Sequence, residues 1–315
     1  MGKLALVLIA TVVGNCLAEP LSADLMLDDG GARDAGPADE HGHDAGPDAH
    51  GRRDGGADLD AALADGGALD VDAGALGPRV YIHMRATAAP VPHAAGTSGA
   101  TPRAYSSGIR SLELLRTADD PSPARIFSYG DGYVEASYDD GADTIVGSAA
   151  IADLPTGTFT WARAVHTHVR FTLPATAHTP YGVLPGDLDA LLVLSDRTTL
   201  DGVARAHGDY RYVFRYAGMA LPSEGAGFPI PAVESGGFTM RLEAGETSYA
   251  FPVALEVRND LADDVHVVFE INTHESFRWT EQDAPGYVAG AFDLSALGTE
   301  PIVQAGANSY RYFPE

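Results

Sequence analysis

The sequence predicts an all-β fold: an antiparallel β-sandwich, as two stacked sheets or two small sandwiches, following a disordered acidic tether. Three observations predict it. From Arg79 onward, short runs alternate apolar and polar residues with period two. Gly, Pro, Asp and Asn punctuate those runs, and no stretch of comparable length carries a helical period. Three segments follow from this reading: a signal peptide over residues 1–18, a tether over 19–77, and a β domain over 78–315. The alternative to one domain is a split near the Pro/Gly-rich stretch at 221–234.

The first segment reads as an export signal. Lys3 supplies a minimal positive start, and residues 4–14 (LALVLIATVVG) are uninterrupted apolar chain. Such a run is far shorter than the ~20 residues a helix needs to cross a bilayer, and it matches a signal-peptide core. Val13-Gly14-Asn15-Cys16 then places the chain's single cysteine directly after it. That arrangement resembles the lipobox of bacterial lipoproteins, in which the cysteine becomes the lipidated first residue. The resemblance implies lipid attachment at Cys16 and a membrane partner reached through that anchor. Asn15 departs from the family pattern, which has Gly, Ala or Ser there. The alternative is cleavage after Ala18, giving a soluble secreted or periplasmic protein. With one cysteine the chain has no internal disulfide, and both routes lead to an extracytoplasmic, envelope or surface location.

The second segment repeats Asp-Ala-Gly-like units, among them Asp34-Ala35-Gly36, Asp44-Ala45-Gly46 and Asp72-Ala73-Gly74. Fifteen acidic residues between Glu19 and Asp72 face only Arg33, Arg52 and Arg53, which is half of the net charge of −24. With almost no aromatic or β-branched residues, the segment cannot bury enough apolar surface to offset its ordering entropy, and like charges extend it. It resembles the Asp/Ala/Gly-rich spacers that follow the lipidated cysteine in lipoproteins of GC-rich Gram-negative bacteria. The strict calcium-loop pattern does not occur in it, and His41, His43 and His50 could chelate a metal only weakly. The acidic balance also excludes nucleic acid as a partner, since a polyanion is bound through clustered Lys and Arg.

In the third segment, Val80, Ile82 and Met84 alternate with Tyr81, His83 and Arg85. The longest pattern spans 157–173. Phe159, Trp161, Val165, Val169, Phe171 and Leu173 fall on one face; His166, His168, Arg170 and Thr172 fall on the other. This is one long strand, or two joined by a bulge. Tyr210, Tyr212 and Phe214 form one later face, Phe251, Val253, Leu255 and Val257 another, and Val265, Val267, Phe269 and Ile271 a third. Roughly a dozen strands are expected. Residues 188–194 are ambiguous, and 198–206 could form a short helix. Leu154-Pro155-Thr156-Gly157-Thr158-Phe159, with Ile109 to Leu114 upstream, resembles the entry strand of secreted transthyretin-like (prealbumin-like) sandwich modules. Those modules imply the fold class and no activity.

The chemistry is sparse. No G-x-S-x-G elbow, H-E-x-x-H, P-loop or dinucleotide fingerprint occurs. Asp119-Asp120, Asp139-Asp140 and Asp263-Asp264 sit beside Gly or Pro turns, where Asp bonds local backbone. The histidines stand out. His166 and His168 lie two apart on a strand; His266 and Glu270 share a face of another, and His274 follows it. Were the strands neighbours, these five could hold zinc or copper; otherwise no cofactor is implied. Exposed Tyr and Trp279 could form a protein- or glycan-binding strip. The expected function is a non-catalytic, membrane-anchored β-sandwich lipoprotein acting as an envelope or surface binding component. The alternatives are an extracytoplasmic metal-binding domain and a secreted hydrolase with a carboxylate site.

Overall fold

The computed structural model describes residues 77–227, 238–295 and 299–315. Cys16 and the tether up to residue 76 lie outside the described residues. Among the described residues the chain forms nineteen strands and one short 3-10 turn, Ile151–Asp153. The strands begin with β1 (Arg79–Thr87), β2 (Ser98–Ala100), β3 (Arg103–Leu115), β4 (Ala124–Ser128), β5 (Val134–Ser137) and β6 (Asp143–Ala150). They continue with β7 (Gly157–Thr179), β8 (Gly182–Val193), β9 (Thr198–Leu200), β10 (Val203–Arg205), β11 (Tyr210–Tyr216) and β12 (Met219–Gly225). The last are β13 (Thr239–Glu243), β14 (Glu246–Val257), β15 (Val265–Asn272), β16 (Phe277–Trp279), β17 (Phe292–Ser295), β18 (Ile302–Ala305) and β19 (Ser309–Pro314).

The fold is all-β and sandwich-like. A ten-stranded sheet has the path β12-β11-β8-β7-β14-β13, with β3 and β17 beside β7 and β4 and β5 paired to the far edge of β3. A four-stranded sheet runs β19-β15-β1-β6, and a three-stranded one runs β18-β16-β2. One core joins them: Ile82, Met84 and Phe269 of the small sheet belong to the same buried cluster as Leu112, Phe159 and Phe251 of the large one. Phe251 packs edge-on against Phe269 (centroids 4.6 Å) and stacks on Tyr310 (5.4 Å, 6°). Each such side chain contributes roughly 1.5–3 kcal/mol by burial. Residues 221–225 lie in β12, and β12 and β13, which flank the remainder of that stretch, both belong to the ten-stranded sheet.

Most pairs are antiparallel, as expected, but β1 pairs parallel with β15 and β17 pairs parallel with β7. A parallel pair needs a long crossover, and here most of the large sheet lies between β1 and β15 in sequence. The expected helix over 198–206 is instead the hairpin β9–β10. Its Asp201-Gly202 turn has both central φ values positive (53° and 74°), the geometry of a two-residue hairpin that Asp-Gly favours. The ambiguous run at 188–194 lies largely in β8.

The long strand β7 organises the rest. Its first half pairs with β14 and its second half with β8, end to end along one edge, while β3 and then β17 occupy the other. The hand-over falls at Thr167, which has no partner in the β3 register: His166 pairs with Ile109 and His168 with Gly108. Thr167 is therefore a β-bulge, and it reverses which side chains face inward. Buried residues run Ala162, Ala164, His166 before it and Phe171, Leu173, Ala175 after it; Trp161 and Val165, expected in the core, are only half-buried.

The gap left in the ladder is closed by hydroxyls. Leu194 N–H and Ser195 N–H both donate to the Thr167 carbonyl (2.8 and 3.1 Å). Ser195 Oγ donates to the His166 carbonyl (2.5 Å) and accepts from Thr247 N–H (2.9 Å). Thr247 Oγ1 donates to the Leu194 carbonyl (2.5 Å). Thr167, Ser195, Thr198 and Thr247 are fully buried. A buried backbone group without a partner costs on the order of 1–3 kcal/mol, so this seam is what lets three strands meet at one point.

Candidate functional site

The structure places the five candidate residues in three surroundings. The bulge sends His166 and His168 to opposite faces of β7, and both are buried rather than outward-facing as the alternation suggested. His166 lines an interior cavity of about 40 Å³ together with Tyr105, Tyr138, Tyr249, Phe277 and Tyr310. Ser107 Oγ has a single proton, and its contact with the His168 carbonyl (2.8 Å) takes it. His166 Nδ1 (2.9 Å from Ser107 Oγ) therefore carries the proton it donates there. Nε2 is left as a bare acceptor, buried and without a partner among the described residues. Burial, with the nearby His168, pushes His166 down to about 3, so the ring is neutral at ordinary pH.

His168 sits on the other face, under the ring of Tyr133 (4.9 Å), with Nε2 3.1 Å from Glu135 Oε2. Burial works against the Glu135 charge, but the contact with His168 holds the carboxyl below its usual range. The pair serves packing on that face.

On the small sheet, His266 stacks on Tyr81 (5.1 Å, 16°) and its Nδ1 lies 2.8 Å from His83 Nε2. Asp143 Oδ1 lies 2.9 Å from His83 Nδ1, and Asp143 also accepts from Arg85. Glu270, opposite Arg311 in the β15–β19 register, accepts from Arg311 Nε (2.9 Å), so its charge is matched by a cation. The paired aspartates are turn and loop anchors: Asp120 accepts from Ser122 N–H, Asp139 from Tyr105 N–H, Asp140 from Ala88 N–H and Asp264 from Arg79 N–H. Trp279, expected in a surface strip, is 1% exposed and belongs to the core.

His274 has different neighbours from those the alternation suggested. Because β1 and β15 run parallel, the loops leaving their C-terminal ends lie side by side, and Thr273 N–H donates to the Thr87 carbonyl (2.8 Å). His93, on the first loop, brings Nε2 to 3.3 Å from His274 Nδ1 on the second, with the rings nearly parallel (12°). Glu275 Oε2 lies 3.8 Å from His93 Nε2. Among the described residues, His93, His274 and Glu275 are the group whose three donor atoms fall within 4.8 Å of one another. Burial, and then the Arg278 guanidinium, hold His93 below the usual histidine range. The five residues expected to meet a metal therefore do not form one shell; His274 alone joins one, with two partners the alternation had not marked.

His93 escaped the sequence reading because it follows Pro90-Val91-Pro92 in a loop without periodicity. Only the parallel pairing of β1 with β15 brings it to His274, across 181 positions of chain. No protein-family model, curated protein or solved structure matches this chain.

Proposed function

We propose that the chain is an exported lipoprotein, anchored by a lipid on Cys16 and held off its membrane by the acidic tether, whose β domain is a non-catalytic binding component of the envelope. The observation that carries this reading is the chain's single cysteine, one residue behind an eleven-residue apolar run. The domain adds support of a different kind. Its buried histidines and hydroxyls (His166, His168, Ser195, Thr247) join strands, and its aspartate pairs hold backbone, so these groups have structural work. A metal-binding reading is favoured by the convergence of His93, His274 and Glu275.

Fractionation of cells producing the full chain tests the anchor. The parent chain is expected in the membrane fraction after a high-salt wash, because acyl attachment is hydrophobic rather than ionic. Cys16→Ala is expected in the soluble extracytoplasmic fraction. A salt-extractable parent, or a Cys16→Ala variant that stays with the membrane, would contradict the proposal.

A further inference from the structure

We infer that His93, His274 and Glu275 form a binding site for a divalent transition metal ion of zinc's size and softness. The inference deepens the metal-binding reading and does not depend on the lipid anchor.

The donor set and spacing come first. Two imidazoles and one carboxylate are a common three-residue zinc shell, with bonds of about 2.0–2.2 Å. At a tetrahedral angle such bonds put neighbouring donors a little over 3 Å apart, and the two imidazole nitrogens stand 3.3 Å apart. Without metal, one proton sits between those nitrogens. A metal ion takes its place: the ring that carried the proton moves it to its far nitrogen, and small ring rotations turn both lone pairs toward the ion. No net proton need leave the protein. Glu275 completes the set from 3.8 Å with a modest side-chain swing.

The surroundings are built to hold these side chains. His274 N–H donates to Asn272 Oδ1 (3.1 Å), and its carbonyl accepts from Asn308 Nδ2 (2.6 Å). Asn272 Nδ2 in turn donates to the Ala89 carbonyl (2.8 Å), tying the His93 loop to the same asparagine. Arg278, 5% exposed and clamped by the Thr97 carbonyl and hydroxyl, donates to Glu275 Oε2 (3.0 Å) and orients the carboxylate. Such outer partners fix a ligand's direction. Gly99 leaves the space for them: a Cβ there would fall 2.7 Å from Arg278 Nη1 and 3.0 Å from Glu275 Cβ.

Glu275 sits in a tight turn closed by Ser276 N–H donating to the Thr273 carbonyl (3.3 Å). Glu275 adopts φ 43°, a left-handed conformation that costs a side-chain-bearing residue energy, and its N–H is held by Thr101 Oγ1 (2.9 Å). The carboxylate is also half-open to solvent, so an ion held there keeps positions for water or for a donor from a partner.

The test is zinc binding by the full chain, followed by calorimetry with zinc sulfate, and cobalt(II) absorption as a report on ligand number. One zinc is expected at this site. His93→Ala and His274→Ala are each expected to weaken it by about tenfold or more, and to remove the intense visible band of low-coordinate cobalt. Glu275→Gln is expected to weaken it less. His83→Ala, and the triple change of His41, His43 and His50 to Ala, are expected to leave it intact. Thermal melting without metal checks that each variant folds, and His93→Gln, confined to a loop, serves if His274→Ala does not. Binding that survives His93 and His274 replacement, or is lost with His83 or the tether histidines instead, overturns the inference. So does a full chain that takes up no zinc at millimolar concentration. Either result leaves the fractionation outcome for Cys16 unaffected.

Discussion

His166 shows how one buried side chain can set the acid stability of the domain. Its neutral ring donates to Ser107 and turns a bare nitrogen toward the cavity, and burial lowers its affinity for a proton to about 3. The unfolded chain takes up that proton near pH 6.5. Between those values the unfolded state binds more protons than the folded one, so the stabilisation is complete above 6.5 and is lost as pH falls toward 3. The difference between pH 7.5 and pH 4 amounts to about 3 kcal/mol from this group. Urea unfolding at the two pH values is expected to show that much less acid loss in His166→Gln than in the parent. Equal losses would mean that the ring is not held neutral by its cavity. At this scale the sequence was least legible. His166 and His168 looked like solvent-facing neighbours, because period two cannot register a single inserted residue between them. His93 carried no pattern at all.

Among the elements, the strands with one buried face were the most legible. Phe251, Val253, Leu255 and Val257 alternate in the sequence and are all buried in β14; Tyr210, Tyr212 and Phe214 do the same in β11. Here one face meets the core and the other meets water, so composition and geometry share a period. The short pieces were hidden. Three-residue strands such as β2, β9 and β16 are too brief to show alternation, and Asp201-Gly202 was masked by residues read as helix. The bulge of β7 was foreseen as a possibility of the pattern but not its position, which depends on where β14 and β8 meet. Gly108, opposite His168, tests it. A Cβ at Gly108 would run into Thr167 Oγ1 and the His168 ring (2.7 Å from Cε1), both fully buried. Gly108→Ala is expected to cost about 1–3 kcal/mol in denaturant unfolding, the range for overfilling a packed site. A cost near zero would mean that the bulge yields freely.

For the molecule as a whole, the all-β class was readable and the sheet order was not. Alternation says which face of a strand is buried, but says nothing of which strand lies beside it. The parallel joining of β1 to β15, near opposite ends of the domain's sequence, therefore had no local signal, and the candidate metal site depends on it. The uneven charge was plain from composition: the domain's own 16 Arg stand against 29 acids, while half the net charge lies in residues 19–72. On the proposed reading this acidic segment holds the domain away from a membrane, which makes the fate of Cys16 decisive. The mature N-terminus, measured by mass spectrometry on the chain isolated from the cells that produce it, tests this most directly. A first residue Cys16 carrying acyl chains is the expected result; a mature chain beginning at Glu19 with no lipid would contradict the account.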